Sequence, residues 1–159
     1  MLEPEERRIS IIESLKKNIA ELPKKIDLLE WYVKKAKALD LDHVYERADR
    51  QTMDLFTRQF AYFYNILTKD FYIIITILSE LNVHWMNQEG YYIEDMEKLG
   101  LIDDVETFEK IKRTKKSIDG EFLIYDETKF WEECIAYSDV LIKLADKAVR
   151  YAKEKFIDQ

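Results

Sequence analysis

An all-α fold is predicted by three observations. Apolar residues return at steps of three and four in nearly every segment. Only 3 Gly and 2 Pro occur in 159 residues, too few turn formers for a β-sandwich or a Rossmann domain. Hydrophobic residues make up 47% and aromatics 13%, enough for a core and too much for a disordered chain. The expected architecture is an antiparallel bundle of five to seven helices in one domain over residues 1–159.

The first helical region covers about residues 4–40. Pro4 suits a first helical turn, where its missing N–H costs nothing. Ile9, Ile12, Leu15, Ile19 and Leu22 form one stripe, continued by Ile26, Leu29, Val33 and Ala36. Pro23 either kinks this helix or starts a second one. After a connection at 39–43, a long helix is expected over about 44–83, with Leu55, Phe56, Phe60, Phe63, Leu67, Ile74, Ile75, Leu78 and Leu81 in its stripe. It is apolar on more than one face from Phe56 onward, and Tyr62, Tyr64 and Tyr72 add bulk of the kind interfaces favour. Residues 84–90 read as a loop. A short helix follows with Ile93, Met96 and Leu99 inward, closed by Gly100 as a left-handed cap. Asp103 with Glu106 resembles a capping box for the next helix, which carries Val105, Phe108 and Ile111. Asp119 and Gly120 mark a turn, and a short hairpin there is the only sheet the pattern allows. Asp126 can cap a final helix with the stripe Phe130, Cys134, Tyr137, Leu141, Leu144, Ala148 and Tyr151.

Net charge is −7 and the pI about 5.0, so bulk charge does not favour a non-specific duplex binder. Cys134 is a lone cysteine among apolar helical neighbours, which fits a buried structural thiol and a reducing compartment. The first residues lack the apolar stretch of a signal peptide, and the longest apolar cluster, 71–78, is too short to span a bilayer. A cytoplasmic protein with no membrane partner is expected. Abundant Lys, Glu, Ile and Tyr beside scarce Asn and Gln lean towards a thermophilic source.

No phosphate-binding glycine loop and no Cys/His metal pattern occurs. The two histidines, His43 and His84, lie 41 positions apart, and neither follows a Glu at three positions' distance. No metal and no cofactor is therefore expected. The unusual local feature is a run of five cations in seven residues: Lys110, Lys112, Arg113, Lys115 and Lys116. Such a run suits a helix C-terminus through the helix dipole. It also suits a face for phosphate groups or an acidic partner surface.

The phrase Met96 to Asp103, the segment Phe108 to Phe122 and the long final helix together resemble a HEPN domain over about residues 49–151. More narrowly they are similar to the all-helical partners of minimal nucleotidyltransferases in toxin–antitoxin pairs. That family has an Arg-Asn pair, then a His, an acidic residue and an aromatic, and its Arg and His form a metal-independent ribonuclease site across a homodimer. Here Lys115 and Lys116 stand for Arg-Asn, Gly120 stands for His, and Glu121 and Phe122 keep the last two places. Glycine cannot move a proton, and lysine lacks the planar fork that grips phosphate.

The resemblance therefore implies a homodimeric HEPN-like scaffold with no catalytic residues. It would bind a minimal nucleotidyltransferase or a nucleotide or RNA-type ligand. The candidate binding residues are Lys112, Arg113, Lys115, Lys116, Glu121, Phe122 and Tyr125. Two alternatives stand beside it: a ribonuclease toxin with a rearranged site using the lysines with Glu121 or Tyr125, and a structural dimer whose basic segment is only a solvated helix end.

Overall fold

The computed structural model describes residues 3–81 and 89–158. Among them the chain is all-helical, with no strand. The helices are α1 (Pro4–Lys37), α2 (Arg47–Asn65), α3 (Ile73–Leu78), α4 (Glu89–Lys98), α5 (Val105–Ile118) and α6 (Glu127–Ala152). A π-helical stretch, Ile66–Tyr72, joins α2 to α3 without a break, and another, Lys153–Ile157, follows α6. A single 3₁₀ turn, Leu41–His43, lies between α1 and α2. His84 and Trp85, expected in a loop, lie outside the described residues, while Glu89 and Gly90 already belong to α4.

The chain forms two compact units. One comprises Met1–Pro23, Asn65–Val105 and Lys143–Gln159; the other comprises Lys24–Tyr64 and Glu106–Ile142.

The first unit is built on Leu15, Leu22, Phe71, Tyr72, Ile75, Ile93, Met96 and the alanines of late α6, Ala145, Ala148 and Ala152. Two side chains of α1 donate to backbone carbonyls of this unit. Arg8 donates to the Leu78 carbonyl at the end of α3 (3.2 Å), and Asn18 donates to the Asp70 carbonyl inside the π stretch (3.4 Å). Burial, and next to it Tyr92, push the Tyr72 hydroxyl far above its ordinary pKa.

The second unit, which carries the candidate site, is built on Leu29, Ala36, Phe56, Phe60, Phe63, Tyr64, Phe108, Ile111, Cys134 and Leu141. Tyr64 stacks on Phe108 with centroids 5.9 Å apart. The buried hydroxyls of Thr114 and Ser138 donate back to the carbonyls of Lys110 (3.0 Å) and Cys134 (2.7 Å), so they enter the core satisfied. Arg50 joins the start of α2 to α6 by donating to the Val44 carbonyl (3.0 Å) and to Glu127 (2.9 Å).

Several expectations need correction. Of the two alternatives for Pro23, a new helix does not start there; α1 is continuous through it. Ile9 is 57% exposed and Leu55 48%, so neither belongs to a buried stripe. The fully buried line of α1 is Leu15, Leu22, Leu29 and Ala36, a strict seven-residue repeat. In α6 the buried seam is Trp131, Cys134, Ser138, Leu141, Ala145, Ala148 and Ala152, while Phe130, Tyr137, Leu144 and Tyr151 flank it half-buried. Helix α5 starts at Val105, one residue too late for Asp103 to cap it, and the Asp103 carboxylate instead accepts from Lys147 (2.8 Å). Tyr64 and Tyr72 are consumed by the chain's own core, and only Tyr62 keeps an exposed ring.

Asp119 and Gly120 form no hairpin. They end α5 in a Schellman motif: Gly120 has φ 86°, its N–H meets the Ser117 carbonyl (3.1 Å), and the Glu121 N–H meets the Lys116 carbonyl (2.9 Å). Gly100 closes α4 in the same way, as expected (φ 76°). Glu80 closes α3 identically at φ 56°, without glycine's freedom. Asp126 caps α6 as expected, its Oδ1 accepting the Lys129 N–H at 3.1 Å.

Candidate functional site

Helix α5 is amphipathic, with Phe108, Ile111 and Thr114 buried. One turn of helix is 3.6 residues, so Glu109, Lys112, Arg113 and Lys116 fall on a shared outer arc. The Gly120 cap then reverses the chain and carries Phe122 back along that arc. The Arg113 guanidinium lies over the Phe122 ring, 4.6 Å from its centroid. Arg113, Lys112, Lys116 and Phe122, with Glu106, Glu109 and Lys110, line a cleft of about 390 Å³.

The charges of this cleft are unevenly committed. Lys110 pairs with Glu106 at 3.6 Å and Lys112 with Glu109 at 3.9 Å. Among the described residues no carboxylate pairs with Arg113 or Lys116. Those two cations and the Phe122 ring therefore face the cleft with their binding capacity intact, a combination suited to an anion carrying a flat ring.

A second cleft of about 390 Å³ lies on the other side of Phe122. It is lined by residues 122–126, by Arg113, Thr114 and Ser117 of α5, and by Lys129, Phe130 and Glu133 of α6. Tyr125 belongs to this second cleft and is 91% exposed.

Of the seven residues expected from sequence, the structure brings Lys112, Arg113, Lys116 and Phe122 together in the first cleft and places Tyr125 in the adjoining one. Lys115 and Glu121 line neither. Lys115 is turned out of the cleft, its ammonium paired with Asp119 (2.6 Å) and 5.9 Å from the centre of the buried Tyr64 ring. The cleft residues outside the seven candidates are Glu106, Glu109 and Lys110, of which the sequence marks Lys110 only as part of the basic run. Lys110, Glu109 and Glu106 lie three, four and seven positions before Arg113, the spacing of one helix face, which was the signal that could have found them.

Other chemistry is sparse. Among the described residues no group of three or more His, Cys, Asp or Glu side chains could hold a metal ion. His43 is exposed and meets Asp40 at 2.9 Å on the same short turn. Cys134 is fully buried, and burial, with Glu133 adding to it, pushes its thiol far above the ordinary value. A groove of about 750 Å³ between α1 and α6 is larger than either cleft. It has a floor of Val33, Ile135, Ala136 and Ile142 and a rim of both charge signs, with no aromatic ring and no excess of one charge to recognise an anion. No helix among the described residues is long and apolar enough to cross a membrane. Comparison of the chain with family models, curated proteins and solved structures finds no match.

Proposed function

We propose that the chain is a non-catalytic, HEPN-like binding protein, an antiparallel helical bundle whose α5 cleft takes a nucleotide or RNA-type anion. The observation that carries this is the Arg113 guanidinium stacked on Phe122 beside Lys116, with neither cation paired to a carboxylate among the described residues. A phosphate can be held by the two cations while a base stacks on the aromatic–guanidinium pair. The histidine that moves the proton in the resembled family has no counterpart at its place here. No histidine follows His84 in the sequence, and the family's histidine place is Gly120, a helix cap with no side chain. In this reading the protein is a cytoplasmic homodimer and the companion of a minimal nucleotidyltransferase.

Fluorescence anisotropy with labelled single-stranded RNA tests the reading. Binding is expected to weaken with salt with a log–log slope of about −1.4, the value for roughly two phosphate contacts by Arg113 and Lys116. The RNA should emerge intact with and without magnesium. Binding that ignores Arg113→Ala would overturn it, as would cleavage that survives rigorous purification and disappears on Lys115→Ala.

A further inference from the structure

We infer that the α5 cleft selects guanine, and that the Glu109 carboxylate is the group that reads the base. This rests on the proposal that the cleft takes a nucleotide or RNA-type anion, and it adds the identity of the base. The cleft is polarised along its length. Glu106 and Glu109 line it towards the start of α5, and Arg113 and Lys116 towards the end. An α-helix rises about 1.5 Å per residue, so Glu109 stands roughly 6 Å before Arg113 and roughly 10 Å before Lys116. A nucleotide covers the longer of these distances from its phosphate to the outer edge of its base. A phosphate at Lys116 and a base laid on the Arg113–Phe122 stack therefore bring that edge to Glu109. Glu106 lies nearly a turn further on and its side chain is 84% exposed, against 51% for Glu109.

The Glu109 carboxylate is open to such a contact. The cation it pairs with, Lys112, stands 3.9 Å away, beyond hydrogen-bond distance. Among the described residues no hydrogen bond engages it. An ionised carboxylate only accepts, through two oxygens side by side. Guanine presents two neighbouring N–H donors to match them, N1–H and the N2 amino group. Adenine and cytosine present an amino group beside an acceptor nitrogen, and uracil presents one N–H between two carbonyls. Each of these three sets an acceptor against the carboxylate, so it loses a bond and meets repulsion as well. The carboxylate also repels the phosphate of any nucleotide that cannot donate to it. Selection therefore works in both directions, by a gain for guanine and a penalty for the rest.

The test is calorimetric titration of the full chain with GMP, IMP, AMP, CMP and UMP, whose phosphates are the same. GMP should bind at least ~10-fold tighter than AMP, CMP or UMP, the low end for a bidentate base contact. IMP, which lacks only the N2 amino group, should bind more weakly than GMP. In Glu109→Gln, GMP should weaken and AMP should tighten, bringing the two within about twofold. Anisotropy of labelled UUGUU and UUAUU separates the sources of the base. A preference for UUGUU that Glu109→Gln removes supports guanine in single-stranded RNA; equal pentamers beside a GMP preference support the free nucleotide. Equal binding of all the nucleotides and both pentamers, lost in Arg113→Ala, would overturn guanine selection and leave the anion cleft standing. IMP equal to GMP, or a guanine preference that survives Glu109→Gln, would overturn the role of Glu109. Binding of none of them would overturn both readings.

Discussion

The Arg113 guanidinium sits 4.6 Å from the centre of the Phe122 ring, across nine residues that include a helix cap and a chain reversal. A guanidinium over a ring face still has N–H groups with which to grip an oxyanion. Arg113→Ala and Phe122→Ala should each weaken RNA binding by roughly tenfold, about 1.4 kcal/mol, within the range for losing a stacking or charge contact. Arg113→Lys should recover only part of this, because an ammonium keeps the charge and loses the plane. Anisotropy titrations of the three variants decide it.

Lys115 and Lys116 are neighbours in sequence but differ in surroundings. Lys116 lines the cleft, while Lys115 is held between Asp119 and the Tyr64 ring with its side chain only 17% exposed. Lys116→Ala should therefore weaken RNA binding and reduce the salt slope by about 0.7, with little change in stability. Lys115→Ala should lower the melting temperature and leave the slope unchanged. Changing Lys34 and Lys35 together should affect binding less than Lys116→Ala does. A larger binding loss for Lys115→Ala than for Lys116→Ala would count against this assignment.

Three helices end in the same hydrogen-bonded motif, with Glu80, Gly100 and Gly120 in the left-handed place. A side chain there costs about 1 kcal/mol through its Cβ. Nothing lies within 4 Å of where a Cβ would stand on Gly100 or Gly120, so the cost is one of backbone alone. Gly100→Ala and Gly120→Ala should each destabilise by about 1 kcal/mol, and Glu80→Gly should stabilise by about 0.5–1 kcal/mol. Urea midpoints at constant slope measure all three.

Much of the fold was legible where a local rule has one answer. The Gly100 cap, the Asp126 cap and the α1 stripe that contains Leu15, Leu22, Leu29 and Ala36 follow from spacing and side-chain chemistry, though not the narrowing of that stripe to a seven-residue repeat. The reading failed where tertiary packing chose between equal local options. Ile9 and Leu55 satisfy the period and still face outward. The α6 seam turns towards Ser138, Ala145 and Ala152 because small residues permit close packing, which a hydrophobicity pattern does not rank. Asp119 and Gly120 suit a helix cap as well as a hairpin, and the run of cations before them is a poor strand. At the site, the basic run was visible, but its division into cleft and core cations depends on helix phase. The Arg113–Phe122 contact depends on the cap that folds the chain back.

Cys134 and Tyr72 give the chain a defined alkaline weakness. Both are fully buried, and burial is the larger cause raising each folded-state pKa; Glu133 and Tyr92 respectively add to it. A group whose folded pKa is raised contributes stability that is complete below its unfolded pKa and is lost as pH rises beyond it, since the unfolded chain then releases a proton that the folded chain keeps. The thiol should begin to lower stability above about pH 8.5 and the phenol above about pH 10, each with a limiting slope of about 1.4 kcal/mol per pH unit. Cys134→Ala should flatten the stability curve between about pH 8.5 and 10, whatever offset its small cavity adds. Tyr72→Phe should leave that window unchanged and flatten the curve only above about pH 10. Urea unfolding across this pH range, followed by circular dichroism, reads the slopes directly. A Cys134→Ala curve parallel to that of the unaltered chain would show that the thiol ionises equally in both states.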